Sequence, residues 1–281
     1  MKLCSIELDG KQLVGAKMDG GIANLTAIGF PAQMNDVING GSKMLAQMEA
    51  AIVTNCQLPI ISYDQIKFLP VTVPSKIICK GMNYKDHAQE TGGTVPEHPV
   101  FFSKFNDTLS AHESPVTLPS WQRCYDYEAE IVMVISKDAY NISVGEAADC
   151  IFGYTCGNDM SARDCQFLST QWLTGKSFPG FAPVGPYIDT DFDPDLNHEV
   201  RCEVNGKIVQ SGNSSDMIFN CYEIVSAASR YFKLSPGDLI FTGTPAGVIL
   251  GKKKGERVWL KSGDIVQVTV GGIGTLTTTL I

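Results

Sequence analysis

The stretch YDYEAEIVMVI, Tyr125 to Ile135, decides how this 281-residue chain is read. Its second half is an unbroken β-branched apolar run, the character of a strand inside a sheet. Its first half alternates Asp126, Glu128 and Glu130 with Tyr127 and Ala129. Residues two apart on a strand point to the same face, so three carboxylates are expected along one side. Ile131 to Ile135 shows no polar alternation and is expected to be buried on both faces. Acids two apart have side chains roughly 7 Å apart, near enough for their oxygens to meet. Like charges in a partly buried site raise one another's pKa and destabilise the fold unless a cation or proton compensates. Three arrangements satisfy that demand: an edge strand with its acids in water, neutralisation by Arg or Lys, or a divalent metal between the acids. Carboxylate-only ligation suits Mg²⁺ or Mn²⁺ ahead of Zn²⁺. Asp159, in the Gly-bounded turn GYTCGNDMSARD, is then the obvious third oxygen donor.

Outward from that stretch, strands dominate. Residues 1 to about 30 read as short strands between Asp-Gly and Gly-Gly turns, followed by a helix from Ser42 to about Val53. Three prolines in residues 56 to 75 mark a connector, so residues 1–70 are expected to form a small accessory unit and 71–281 the main one. A capping-box pattern starts a brief helix at Ser143, Asn205-Gly206 turns a hairpin, and an amphipathic helix is expected over 216–232. Many strands with few long helices predict an α+β, β-rich roll or barrel-like sandwich.

A net charge of −8 with scattered Lys and Arg gives no nucleic-acid footprint. No apolar stretch approaches the ~20 residues of a membrane span. Nine cysteines, an odd number with no C-x-x-C pair, read as free thiols in a reducing compartment, so the cytoplasm is the expected location.

Two further segments carry reactive side chains. GMNYKDHAQE sets His87 and Glu90 three apart, one face of a helical turn, where the carboxylate can orient the imidazole as a base. A chance pair on a surface helix is the plain alternative. LTGKSFPGFAPVGP isolates Lys176 among Gly, Pro and Phe, either to bind an anion or to point into solvent.

Taken together and in order, GMNYKDHAQE, PVFFSKFNDTL, YDYEAEIVMVI, GYTCGNDMSARDCQ, TGKSFPGFAPVGP, VNGKIVQSGN and LSPGDLIFTGTPAGVI resemble the fumarylacetoacetate hydrolase family over residues 75 to 281. The resemblance implies a mixed β-roll, a homodimer, and an Mg²⁺ or Mn²⁺ site of Glu128, Glu130 and Asp159. It also implies that His87 and Glu90 form a water-activating dyad on a short lid helix, and that Lys176 meets the substrate carboxylate and developing oxyanion. Arg163, Gln166 and Thr244 fall at positions that help bind the 2-oxo acid in relatives. Asp126 is expected to support the site without ligating. Ile249 departs from the family, standing where many members carry glycine. The implied activity is hydrolytic C–C cleavage of a 2,4-dioxo acid, with decarboxylation of an oxaloacetate-type acid or isomerisation of an unsaturated 2-oxo diacid as alternatives. Substrate choice is expected to lie in TGGTVPEHP after Glu90 and in the loop 167–174.

Overall fold

The computed structural model describes residues 1–54, 58–94 and 96–281. Its main feature is a twelve-stranded mixed sheet whose interior strands include Ala182–Asp189, Ile151–Asn158, Ala129–Ile135 and Leu239–Phe241. A five-stranded sheet, containing the Glu199–Val204/Lys207–Asn213 hairpin together with Ile265–Val270 and Gly274–Leu280, packs over one side. The fold is thus α+β and strand-rich, as the residue pattern predicts.

The apolar run explains why the sheet sits centrally. Ile131, Met133 and Ile135 join a core shared with the five-stranded sheet and the helix Cys221–Tyr231. Val132 and Val134 face the opposite core, with Val37, Ile38 and Met48 of the N-terminal helix. All seven residues of Ala129–Ile135 are buried, so the missing polar alternation reports burial on both faces.

The opening stretch is not one continuous strand. Tyr125–Asp126 pairs with Ser161–Ala162 in a separate two-stranded sheet, and Ala129–Ile135 pairs with Ile151–Asn158 and Leu239–Phe241. The break falls at Tyr127 and Glu128, where the Glu128 N–H donates to the side-chain oxygen of Asn158 instead of to a backbone carbonyl of the ladder.

Residues 1–70 add strands to the same sheet: Lys2 pairs with Asp189 and Leu3 with Ile188. The helix begins at Met34, earlier than the expected Ser42, and is interrupted at Gly41, whose φ of 59° is left-handed. Asn39-Gly40-Gly41 reads as a breaker, and it does break the helix, but Val37 and Ile38 are buried and hold a helical segment before it. Near the C-terminus the helix runs over Cys221–Tyr231, five residues shorter at its start than expected. Asn220 and Glu223 form its capping box. The capping box at Ser143 and the left-handed turn at Asn205-Gly206 are as the sequence predicts. Among the described residues no helix is long and apolar enough to cross a membrane, and eight cysteines are unpaired thiols; Cys56 lies outside the described residues.

Candidate active site

The strand register brings the carboxylates together. Ala129 faces Asn158 across the antiparallel pair, so the residue before one meets the residue after the other. The Asp159 N–H donates to the Glu128 carbonyl at 2.9 Å, which fixes that match beyond the ladder. Glu130 follows two residues on, and ligand atoms of Glu128, Glu130 and Asp159 lie within 4.8 Å of one another, all three buried.

The sequence left three ways to tolerate such acids, and the second is present for two of them. Lys176 Nζ bridges Glu128 Oε2 at 2.5 Å and Asp159 Oδ2 at 2.7 Å. Arg163 donates to Asp126 at 2.9 Å and to Glu128 at 2.6 Å, and Lys104 donates to Asp159 at 2.5 Å. Glu130 differs. Among the described residues its side chain takes a hydrogen bond only from the Gly243 N–H, at 2.6 Å.

The electrostatics follow. Burial pushes the Glu128 carboxyl up, but Lys176 and Arg163 outweigh it and hold the group well below the usual range. Burial pushes Glu130 well above its ordinary value, and the neighbouring Asp159 and Glu128 push it further. A carboxylate short of cations, beside two others and with oxygen-only donors, is what a hard divalent cation compensates. Glu128, Glu130 and Asp159 therefore fit such a cation as a ligand set. Asp126 stands outside it: its carboxylate takes the Ile249 and Leu250 N–H groups as well as Arg163.

The triad lines a cavity of about 200 Å³ together with His87, Arg163, Gln166, Lys176 and Thr244. His87 lies on the six-residue helix Lys85–Glu90, with Nδ1 3.0 Å from Glu90 Oε1. Glu90 also accepts the Gly247 N–H at 2.9 Å and 3.1 Å through its two oxygens, which ties the helix to the loop after Leu239–Phe241. His87 thus lines the pocket, and Glu90 holds its ring while bonded to the Gly247 N–H. Lys176 is not a solvent lysine; it is 2% exposed. Its helix Leu173–Lys176 lies against Arg163–Gln166 because Gly175 has no side chain: a Cβ there would be 2.4 Å from the Gln166 nitrogen. Arg163 Nη1 donates to Gln166 Oε1 at 2.8 Å, and Thr244 Oγ1 accepts from Gln210 at 2.8 Å.

Thr91, Gly92 and Gly93 after Glu90, and Phe167 and Trp172 of the loop 167–174, also line the cavity; Val95 lies outside the described residues. Ile249 turns its side chain into the core, and Leu250 faces the cavity in its place. Sequence reasoning assigned no role to Lys104 or Lys80. Both side chains are buried, Lys80 within the buried strand Ile77–Gly81 and Lys104 at the end of the partly exposed strand Val100–Lys104, and a lysine in a short apolar strand run is the signal that marks both.

Fold and pocket together define a class: a strand-rich protein that gathers a carboxylate triad, a His–Glu dyad and buried lysines around one cavity. Comparison with known proteins narrows it. The profile described as fumarylacetoacetate hydrolase C-terminal matches residues 76–281, and the chain belongs to that family, whose members are enzymes. It is 38% identical over 272 residues to a protein of Xenopus laevis named mitochondrial oxaloacetate tautomerase fahd2, covering 94% of this chain and 84% of the relative. A fumarylacetoacetate hydrolase from Exiguobacterium antarcticum superimposes with a TM-score of 0.86 at 31% identity, over 100% of this chain and 99% of the other. A maleylpyruvate hydrolase from Sphingobium sp. SYK-6, solved with manganese(II) and pyruvate, has a TM-score of 0.82 at 27% identity, with the same coverage of both chains.

Proposed function

We propose that this chain is a divalent-metal-dependent enzyme that moves a proton on a 2-oxo acid, with keto–enol interconversion of an oxaloacetate-like acid as its reaction. The observation that carries this reading is the dyad: His87, oriented by Glu90, opens onto the same cavity as the buried triad. A divalent cation, Mg²⁺ or Mn²⁺, held by Glu128, Glu130 and Asp159 would supply a Lewis acid and a template for the carboxylate and 2-oxo oxygen. Glu90 accepts from Nδ1, which leaves Nε2 of His87 as the proton carrier. Nε2 takes a proton from the carbon beside the 2-oxo group and the resulting imidazolium delivers it to the 2-oxo oxygen, and the reverse regenerates the ketone; no carbon–carbon bond changes. Lys176 and Arg163 add positive charge where the oxyanion develops, although both already pair with Glu128. The tautomerase name of the 38% identical relative supports this choice.

A second reading is hydrolytic C–C cleavage of a 2,4-dioxo acid. It is favoured by the same dyad, which suits activation of water, and by the likeness to a maleylpyruvate hydrolase solved with pyruvate. There His87 takes a proton of a water whose oxygen adds to the distal carbonyl; the bond between that carbon and the adjacent CH₂ breaks, and the pyruvate fragment leaves as its enolate, which takes the proton back from the imidazolium. A homodimer and a cytoplasmic location complete the proposal, the latter supported by eight unpaired thiols among the described cysteines.

The two reactions separate in one assay set with Mg²⁺ or Mn²⁺ present. Loss of the enol absorbance of oxaloacetate, accelerated by the protein and abolished by a chelator, supports tautomerisation. Cleavage of acetylpyruvate or fumarylpyruvate without that acceleration supports the hydrolase, and activity on both sets of acids that survives chelation contradicts either form.

A further inference from the structure

One buried cation in the pocket wall has no part in the chemistry above. Lys80, in the strand Ile77–Gly81, is 1% exposed and lines the cavity beside Glu130 and Gly243. Its Nζ donates to the carbonyls of Gly81 at 2.7 Å and Met82 at 3.3 Å, and lies 4.9 Å from the centre of the Phe219 ring. Among the described residues no carboxylate comes within 4.0 Å of it. Lys104, Arg163 and Lys176, the other buried cations of this region, each hold at least one carboxylate.

A buried charge without a counter-ion is costly. Burial draws the Lys80 ammonium down to about 8, and the pull of Glu130 does not offset it. The cost is recovered when an anion enters the cavity. The strand Leu239–Phe241 separates Lys80's strand from that of Glu130, so the two backbones are roughly 10 Å apart. Lys80 and the triad line the same cavity across that separation, a span of the size of a short diacid.

We propose that Lys80 selects 2-oxo diacids over 2-oxo monoacids, its ammonium pairing with the carboxylate at the far end of the substrate. This rests on the 2-oxo acid reading of the site and names its substrate class. A compact ammonium suits a single terminal carboxylate and still satisfies the two backbone carbonyls. Phe219, held by the Asn83 side chain through both its N–H and its carbonyl, gives the ammonium a fixed ring to lie against at the cavity wall.

The test is calorimetric binding to the Mn²⁺-loaded protein of 2-oxoglutarate and 2-oxopentanoate, which differ only in a terminal carboxylate against a methyl. Wild type is expected to bind the diacid roughly tenfold or more tighter. Lys80→Met is expected to erase that preference and Lys80→Arg to keep most of it. Should Lys80→Met fail to fold, Lys80→Gln, which keeps a donor for the Gly81 carbonyl, serves the same comparison. A wild-type protein with no preference overturns the inference, as does a neutral variant that keeps the preference or weakens both acids equally. If neither acid binds wild type, the 2-oxo acid reading itself falls and this inference with it, an outcome distinct from loss of preference alone.

Discussion

Lys176 shows how closely this site couples its charges. One ammonium bridges two members of the triad, so it sets their geometry as well as adding positive charge to the cavity. The reactive pairs were legible in the sequence because each has a local spacing. Glu128 and Glu130 are two apart beside a strand, and His87 and Glu90 three apart on a turn. Lys104 and Lys80 were not legible, since a single lysine in a strand carries no spacing and acquires meaning only from what packs beside it. At this scale the dyad makes the sharpest prediction. His87→Asn is expected to lower turnover by about 10²–10⁴, the usual contribution of general acid–base catalysis. Glu90→Gln should lower it less, because the Gly247 N–H still holds the side chain. Steady-state kinetics beside Mn²⁺ titration checks this; His87→Asn that turns over like wild type removes His87 as proton carrier.

Two short elements carry consequences out of proportion to their length. The helix Leu173–Lys176 delivers Lys176 only because Gly175 lets it touch the backbone of Gln166. Gly175→Ala would put a methyl 2.4 Å from that nitrogen, and overpacking of this kind costs about 1–3 kcal/mol. Denaturant unfolding should show that loss, and catalysis should fall with it, because Arg163, Gln166 and Lys176 shift together; unaltered stability contradicts the close packing. Asn220 offers the contrast. Its side chain accepts the Glu223 N–H at 2.9 Å and does not line the cavity, so Asn220→Ala should cost about 1 kcal/mol of stability and leave kcat near wild type. A lowered kcat with unchanged stability would contradict that reading. The N-x-x-E pattern was present in the sequence, yet the apolar periodicity extends upstream to Ile218 and drew the expected start to 216. Periodicity locates a helix face, whereas the cap locates its end. The break at Tyr127 and Glu128 was hidden for a related reason: alternation alone does not show where a strand changes partners.

For the whole molecule, the alternation and turns gave the strand-rich class, and the double-sided burial of Ile131–Ile135 followed from its apolar run. What local pattern does not carry is pairing between distant segments. Lys2–Leu8 meets Ala182–Asp189 across most of the chain, and no residue in either strand announces the other. We retain residues 1–70 as a proposed accessory unit, since the family match begins only at Lys76, with its strands continuing the main sheet. The same long-range pairing assembles the triad: Glu128 and Asp159 are brought together by strand register. A cation bound there should stabilise the folded protein, by about 2.7 kcal/mol at a free concentration 100 times Kd. The most direct measurement is titration of Mn²⁺ into chelator-treated protein, followed by calorimetry and by Tm, for wild type and for Glu128→Ala combined with Asp159→Ala. One site per chain in wild type, with a raised Tm, and neither binding nor shift in the double variant is the result predicted here. Binding by the double variant equal to wild type would contradict the assignment of Glu128, Glu130 and Asp159 as the metal centre.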